Sequence, residues 1–308
     1  MMIENRMNAL TWGLLVLLGL IWGGSFFFAR IAVHDVPPFT LVFLRLILAA
    51  VALHLYIAGR YGIYGLLRSH WRSFLLLGLI NNAIPHAMIF LGETEIGAGL
   101  ASVLNATTPI WTVIVAHYAT QDEKPGRAKI VGCLVGLVGT VVLVGPGAMD
   151  AAGAPLWALL LPIVAAISYG FAGVYSKRFK AIPAPVTAAG QLTGSSLLML
   201  PVSMLVDRPW TLAMPPASTI LAIVALALLS TAFAYILYFR IMTLAGATNT
   251  SLVTLLVPPS AILLGFVFLG ERLGPMQIAG MLLIGLGLVI LDGRIFARRK
   301  TEVATKTS

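Results

Sequence analysis

Charge is scarce in this chain. Only 10% of its 308 residues are Asp, Glu, Lys or Arg, whereas soluble domains carry about a quarter. With 59% of the sequence hydrophobic, an ordinary water-soluble fold is excluded. Cysteine is nearly absent. The single Cys133 allows no internal disulfide, and its place in an apolar stretch reads as inert packing. Acidic residues are missing from the central third of every apolar stretch, so there is no intramembrane carboxylate of the kind that proton- and sodium-coupled carriers usually use. Catalytic signatures are missing too. Intramembrane hydrolysis needs a nucleophile with its base, or a metal cluster. The sequence has no Gly-x-Ser-x-Gly, no His-Glu-x-x-His and no paired intramembrane Asp. It is therefore not expected to be an enzyme, and it calls for no metal or cofactor.

What the chain has in abundance is apolar length. A bilayer core takes about 20 apolar residues per helical crossing, and ten stretches qualify. The first five are 11–33, 39–58, 73–92, 97–118 and 128–146, and the second five are 156–176, 185–206, 219–240, 246–269 and 275–293. The expected fold class is an all-α membrane protein with ten transmembrane helices. Residues 1–10 and a basic tail at 297–308 remain outside the bilayer. The net charge of +9 does not point to nucleic acid, because its cations are segregated. Arg60, Arg68, Arg72, Lys124, Arg127, Lys129, Lys177, Arg178 and Lys180 share one side with the tail, while Asp35, Glu93, Glu95, Asp150, Asp207 and Glu271 occupy the other, with only Arg208 and Arg272 as cations there. Such a positive-inside bias puts both termini in the cytoplasm. The first apolar stretch is too long for a signal-peptide core and lacks a small-x-small cleavage site, so it is expected to be retained.

The second five stretches repeat the first. Trp22-Gly23 through Arg30 corresponds to Tyr169-Gly170 through Lys177, and Pro38-x-Thr40 to Pro185-x-Thr187. His86 and Phe90 pair with Tyr235 and Phe239, Ser102 and Pro109 with Ser251 and Pro258, and Gly132 and Gly139 with Gly280 and Gly287. The offset stays between 147 (169 − 22) and 149 (235 − 86) positions throughout. Regularity of that kind marks a duplicated unit. Five crossings are an odd number, so the second unit enters the membrane upside down, the arrangement of alternating-access transporters. The halves, 11–146 and 154–296, meet at a Gly-, Ala- and Pro-rich connection between Pro146 and Pro155. The glycines of the fifth and tenth stretches suit close helix packing, within one chain or in a dimer, so a monomer or homodimer is expected.

Polar side chains in the other stretches fall at helical spacing. Asn82 and His86 lie on the third, with Thr231, Tyr235 and Tyr238 matching them on the eighth. Ser102, Asn105 and Pro109 share a face of the fourth, as Ser251, Thr254 and Pro258 do on the ninth. The first and sixth add Trp22 and Ser25, then Ser168 and Tyr169, and the seventh adds Gln191 and Ser195. An amide or imidazole facing lipid would leave its polar atoms unsatisfied, at several kcal/mol, so these stripes face protein or water. Individual hydroxyls can serve as glue by bonding their own helix, but equivalent stripes in both halves suggest a central cavity. Arg45, about two turns inside the second stretch, is a functional candidate because intramembrane charge is costly. Arg30 reads as snorkelling towards Asp35, Glu93 or Glu95. His86 is the one histidine deep enough to line a cavity. Pro109 and Pro258 interrupt equivalent helices and are hinge candidates.

These residues resemble the EamA-type branch of the drug/metabolite transporter superfamily. The resemblance is carried by Trp22-Gly23-Gly24-Ser25-Phe26, by Gly99-x-Ala101-Ser102 through Pro109, by Gly270-Glu271-Arg272-Leu273 and by the closing Gly280…Gly285-x-Gly287 helix. It implies a ten-helix inner-membrane carrier, often an exporter of amino acids or related metabolites. It also implies a cavity lined by the first, third, fourth, sixth, eighth and ninth helices. Trp22, Asn82, His86, Asn105, Tyr169 and Tyr235 are the residues it singles out, to which the stripes above add Arg45 and Gln191. The Gln121-Asp122-Glu123-Lys124 turn departs from the Gly-Glu-Arg pattern. The small four-helix multidrug relatives carry a Glu in their first helix, where this chain has Trp22, Gly24 and Ser25, which argues against proton-coupled export of cationic drugs.

The expected function is a secondary carrier that exports amino acids or related small polar metabolites by alternating access. The alternatives are carriage or uptake of another solute class, such as a sugar, nucleotide sugar or drug-like compound, and an intramembrane enzyme. A channel is disfavoured, because the chain shows no ring of charges or carbonyls.

Overall fold

The computed structural model describes residues 7–58, 63–96, 98–120, 126–148, 154–269 and 274–292. Among these residues every regular element is helical and none is a strand. The long helices are α1 (Ala9–Val33), α2 (Pro38–Ile57), α3 (Trp71–Gly92), α4 (Leu100–Ala119) and α5 (Arg127–Ala148), followed by α6 (Leu156–Phe179), α7 (Ala184–Asp207), α8 (Ala217–Ser251), α9 (Val253–Leu269) and α10 (Pro275–Asp292). Helices α2 to α8 are each long and apolar enough to cross a membrane. The described apolar runs of α1, α9 and α10 are shorter: Ala9–Ser25, Val253–Leu264 and Pro275–Leu291. Large apolar side chains such as Leu134, Leu160, Phe171, Leu197 and Leu282 stand exposed on outer faces, a surface suited to lipid rather than water. The turns at 121–124 and 270–273, both chain ends and the Arg30 side chain lie outside the described residues.

Helix starts follow local chemistry. Asn8 caps α1 by accepting from Thr11 N at 2.8 Å. Prolines open α2 and α7, where a missing N–H is harmless. Asp207, at the end of α7, accepts from Thr40 N at 2.6 Å in the first turn of α2, a charge-assisted contact at a helix N-terminus. The 35 residues of α8 would rise about 50 Å as one helix, far more than a hydrocarbon core of about 30 Å. Its run breaks at Gly246, where φ is 81°, a conformation that residues with a Cβ seldom adopt.

The halves are interleaved. α1 packs on α9 and α8, and its repeat equivalent α6 packs on α4 and α3, the equivalents of α9 and α8. α2 lies along α7, and α5 along α10. Two glycines carry the first pair of crossings. A Cβ at Gly23 would stand 2.7 Å from Ser260 Cβ and 2.8 Å from Ala261 N, and one at Gly170 would stand 3.0 Å from Trp111 C and 3.1 Å from Thr112 N. Gly170 follows Gly23 by 147 positions and Ser260 follows Trp111 by 149, so one crossing has been made twice.

The small faces of α5 and α10 are used against each other within the chain. A Cβ at Gly139 would lie 2.7 Å from Ile284 N, and one at Gly287 would lie 2.6 Å from Gly136 N. Gly139→Ala is expected to cost about 1–3 kcal/mol through overpacking, read as a lower unfolding temperature in detergent. An unchanged temperature would mean that this helix pair is loosely packed.

Candidate functional site

Two helices leave the α-helical register at equivalent places. Leu79–Ala83 in α3 and Leu228–Phe233 in α8 are π-helical turns, and their starting residues are 149 positions apart (228 − 79). Single π turns inside α-helices often sit at functional sites. In α3 the cause of unpaired backbone is legible. Pro85 has no N–H, and the change from π back to α register skips a carbonyl, so those four and five residues before Pro85 both lack helical donors. Both are taken up from other helices. Ser168 Oγ donates to Ile80 O at 2.6 Å, and Tyr235 OH donates to Asn81 O at 3.2 Å. In α8, Ser230 O, the equivalent of Asn81 O, accepts from Trp22 Nε1 at 3.2 Å and from Arg45 Nη2 at 3.3 Å. Arg45 Nε also donates to Thr231 Oγ1 at 2.7 Å, and Thr231 Oγ1 donates back to Leu226 O at 2.7 Å. Each half thus grips the π turn of the other.

Between these clamps lies a cavity of about 90 Å³, measured as the space open to the centre of a water molecule. One water needs about 10–15 Å³ on that measure, so the chamber suits a solute the size of an amino acid. Trp22, His86, Asn105, Tyr169, Tyr235 and Arg45 all line it. Asn82 and Gln191 do not. Asn82 is 0% exposed and both its amide atoms lack a hydrogen-bond partner, while Gln191 Oε1 accepts from Asn81 Nδ2 at 2.9 Å and leaves its own Nε2 unpaired. The polar residues that sequence reasoning missed are Asn81, Thr108 and Thr112, which do line the chamber. A π turn adds one residue per turn, so the wall is shared by positions five apart, Asn81 with His86, rather than four. Pro85 was the available signal.

Aromatic rings form one wall. Trp22 meets Tyr235 edge-on at 6.1 Å and Tyr238 at 5.9 Å, and the two tyrosines are 5.9 Å apart, within the range of favourable ring pairs. Several hydroxyls that line the chamber are satisfied by their own helices. Thr112 Oγ1 donates to Thr108 O at 2.9 Å, Ser251 Oγ to Thr248 O at 2.8 Å and Thr254 Oγ1 to Ser251 O at 2.9 Å. His86 Nδ1 and Asn105 Oδ1 are buried without partners. Arg45 is 4% exposed and is the one Asp, Glu, Lys or Arg among the described lining residues. Glu93, one residue beyond α3, reaches Arg45 through its field, and no ion pair joins them among the described residues. Burial pushes the Glu93 carboxyl up to about 8, with the Arg45 charge pulling the other way. Pro109 follows a break in α4 at Ala106–Thr107, whereas Pro258 lies inside the continuous helix Val253–Leu269. Among the described residues no cluster of His, Cys, Asp and Glu could hold a metal.

Tyr235→Phe would leave Asn81 O unpaired and is expected to cost about 1–3 kcal/mol, the range for an unsatisfied buried acceptor. Pro85→Ala restores an N–H to that stretch, so the double mutant is expected to recover part of the loss. Thermal unfolding of the four proteins completes the cycle. Additive losses would show that the two side chains do not share this carbonyl.

Known proteins agree with this architecture. The chain belongs to the EamA-like transporter family, which matches residues 10–145 and again 156–291. It is 29% identical to the uncharacterized transporter YoaV of Bacillus subtilis (strain 168), over 91% of this chain and 96% of that protein. It is 28% identical to the uncharacterized inner membrane transporter YedA of Escherichia coli (strain K12), over 92% of each. A probable terminal-alkyne amino-acid exporter of Streptantibioticus cattleyicolor is 26% identical over 96% of this chain and 97% of its own length. One crystal structure superposes with a TM-score of 0.79, covering 95% of this chain and 99% of that one at 22% identity, which establishes a shared fold.

Proposed function

We propose that this protein is a secondary carrier of the inner membrane that exports amino acids or related small polar metabolites by alternating access. In this reading α1 to α10 are ten crossings arranged as two inverted repeats of five, with both termini in the cytoplasm. The observation that carries it is the pair of reciprocal clamps, in which Trp22 and Arg45 hold the π turn of α8 while Ser168 and Tyr235 engage the π turn of α3. A chamber walled by equivalent elements of two repeats can open to either side when the repeats rock. The break before Pro109 and the Pro258–Pro259 pair supply bendable points in α4 and α9. The amino-acid class is supported by the chamber's size and by the exporter resemblance. With no carboxylate among the described chamber residues, transport is expected to run down the solute gradient without a coupling ion.

Counter-flow in proteoliposomes tests this. The expected result is saturable, trans-stimulated flux of at least one member of an amino-acid and metabolite panel, equal with and without a pH gradient. Absence of flux for every member, or flux that trans-solute does not stimulate, would contradict the reading.

A further inference from the structure

A guanidinium inside a membrane protein needs its charge balanced or used. Arg45 sits in the chamber wall with Nε on Thr231 Oγ1 and Nη2 on Ser230 O, so both of its partners are neutral. Five N–H donors radiate from the group in a rigid fork. Two are engaged, and those two fix the plane of the fork and leave its other donors for whatever enters the chamber. No Asp or Glu is among the described residues that line the space. Glu93, whose field reaches Arg45, lies one residue beyond α3 and makes no ion pair with it among the described residues. Among the described lining residues Arg45 therefore has no countercharge.

We propose that Arg45 is the anchor for a carboxylate on the transported solute, so that the chamber selects small carboxylates and rejects solutes whose only charge is positive. The inference rests on the carrier reading above and adds the chemical class that the site recognises. Arg–carboxylate pairs are commonly bidentate, which fixes orientation as well as charge. The same chamber offers unpaired polar atoms rather than countercharge. Asn105 Oδ1 and His86 Nδ1 are buried and unpaired, and both residues line the cavity. Asn105 Oδ1 accepts, and His86 Nδ1 accepts in the tautomer that carries its proton on Nε2, so the pair suits the N–H of an amine or amide on the same solute. Trp22, Tyr235 and Tyr238 line the same chamber and give an apolar side chain an aromatic wall to pack on. Amino acids and their N-acylated derivatives have this pattern, whereas amino-acid amides, amines and neutral sugars lack the group that meets Arg45.

The test is counter-flow in proteoliposomes with matched sets: an amino acid, its N-acetyl derivative and its amide, for several side chains. Acids are expected to move, with their amides below a tenth of that rate. Arg45→Gln is expected to lose at least tenfold on the acids, and Arg45→Lys to retain more than Arg45→Gln. Amides carried as fast as acids, or a folded Arg45→Gln protein with unchanged acid flux, would overturn the proposal while leaving the carrier reading intact. Flux of nothing in either set would remove both. Should Arg45→Gln fail to fold, the wild-type protein decides through its unfolding temperature in detergent. A rise with the acid and none with its amide supports the anchor, and equal or absent shifts overturn it.

Discussion

Gly23→Ala and Gly170→Ala each reduce transport by roughly 10- to 100-fold, whereas Gly24→Ala and Gly285→Ala leave it near wild type. The expectation follows from what a single methyl group would meet. At Gly23 it would press within 2.8 Å of the Ala261 backbone nitrogen, and at Gly170 within 3.1 Å of the Trp111–Thr112 backbone. At Gly24 the nearest atom is a flexible Leu264 methyl 3.6 Å away, and at Gly285 nothing lies within 4 Å. Backbone cannot rotate aside as a side chain can, so the crossing must widen, at about 1–3 kcal/mol. Each 1.4 kcal/mol is tenfold in the population of the working geometry. Gly23, with the shorter contacts, is expected to be the more severely affected. Flux measured at equal protein per vesicle checks the order. Tolerance of alanine at both crossings would show that the α1–α9 and α6–α4 contacts do not hold the carrier together.

Asn82→Leu is expected to raise the unfolding temperature and lower transport at least tenfold. The side chain is 0% exposed with both amide atoms unpaired, a burden of about 1–3 kcal/mol that an apolar residue of similar size removes. Such a group calls for an explanation, and a role in a second conformation supplies one. Under the alternating access proposed above, that conformation is one in which the amide meets solute or water. Thermal unfolding and counter-flow on the same preparation separate the outcomes. A fall in both would assign Asn82 to packing.

The repeat was visible in the sequence because its landmarks are residues whose backbone roles do not drift. Gly23 and Gly170 are needed wherever two helices touch, and an offset of 147 finds them. Trp22, His86, Tyr169 and Tyr235 could be read as wall residues because large polar-tipped side chains in lipid-length helices have few places to go. The π turns were only half visible: Pro85 follows the one in α3, whereas no residue pattern marks Leu228–Phe233 as departing from 3.6 residues per turn. Counting by fours therefore pointed to Asn82 where the chamber takes Asn81. Arg45 was a candidate by burial cost alone. Its partners, Ser230 and Thr231, lie about 185 positions away, and no local signal announces a contact of that range.

The central claim is that one chamber opens in turn to both sides of the membrane. Ser25 lines that chamber and Cys133 is the chain's only cysteine, so Ser25→Cys in a Cys133→Ala background gives a single reporter thiol. Its reaction with a membrane-impermeant thiol reagent, added to one face of sealed vesicles at a time, is the direct measurement. The account predicts labelling from either face, with added solute shifting the two rates in opposite directions. Labelling from one face only, with or without solute, would contradict it.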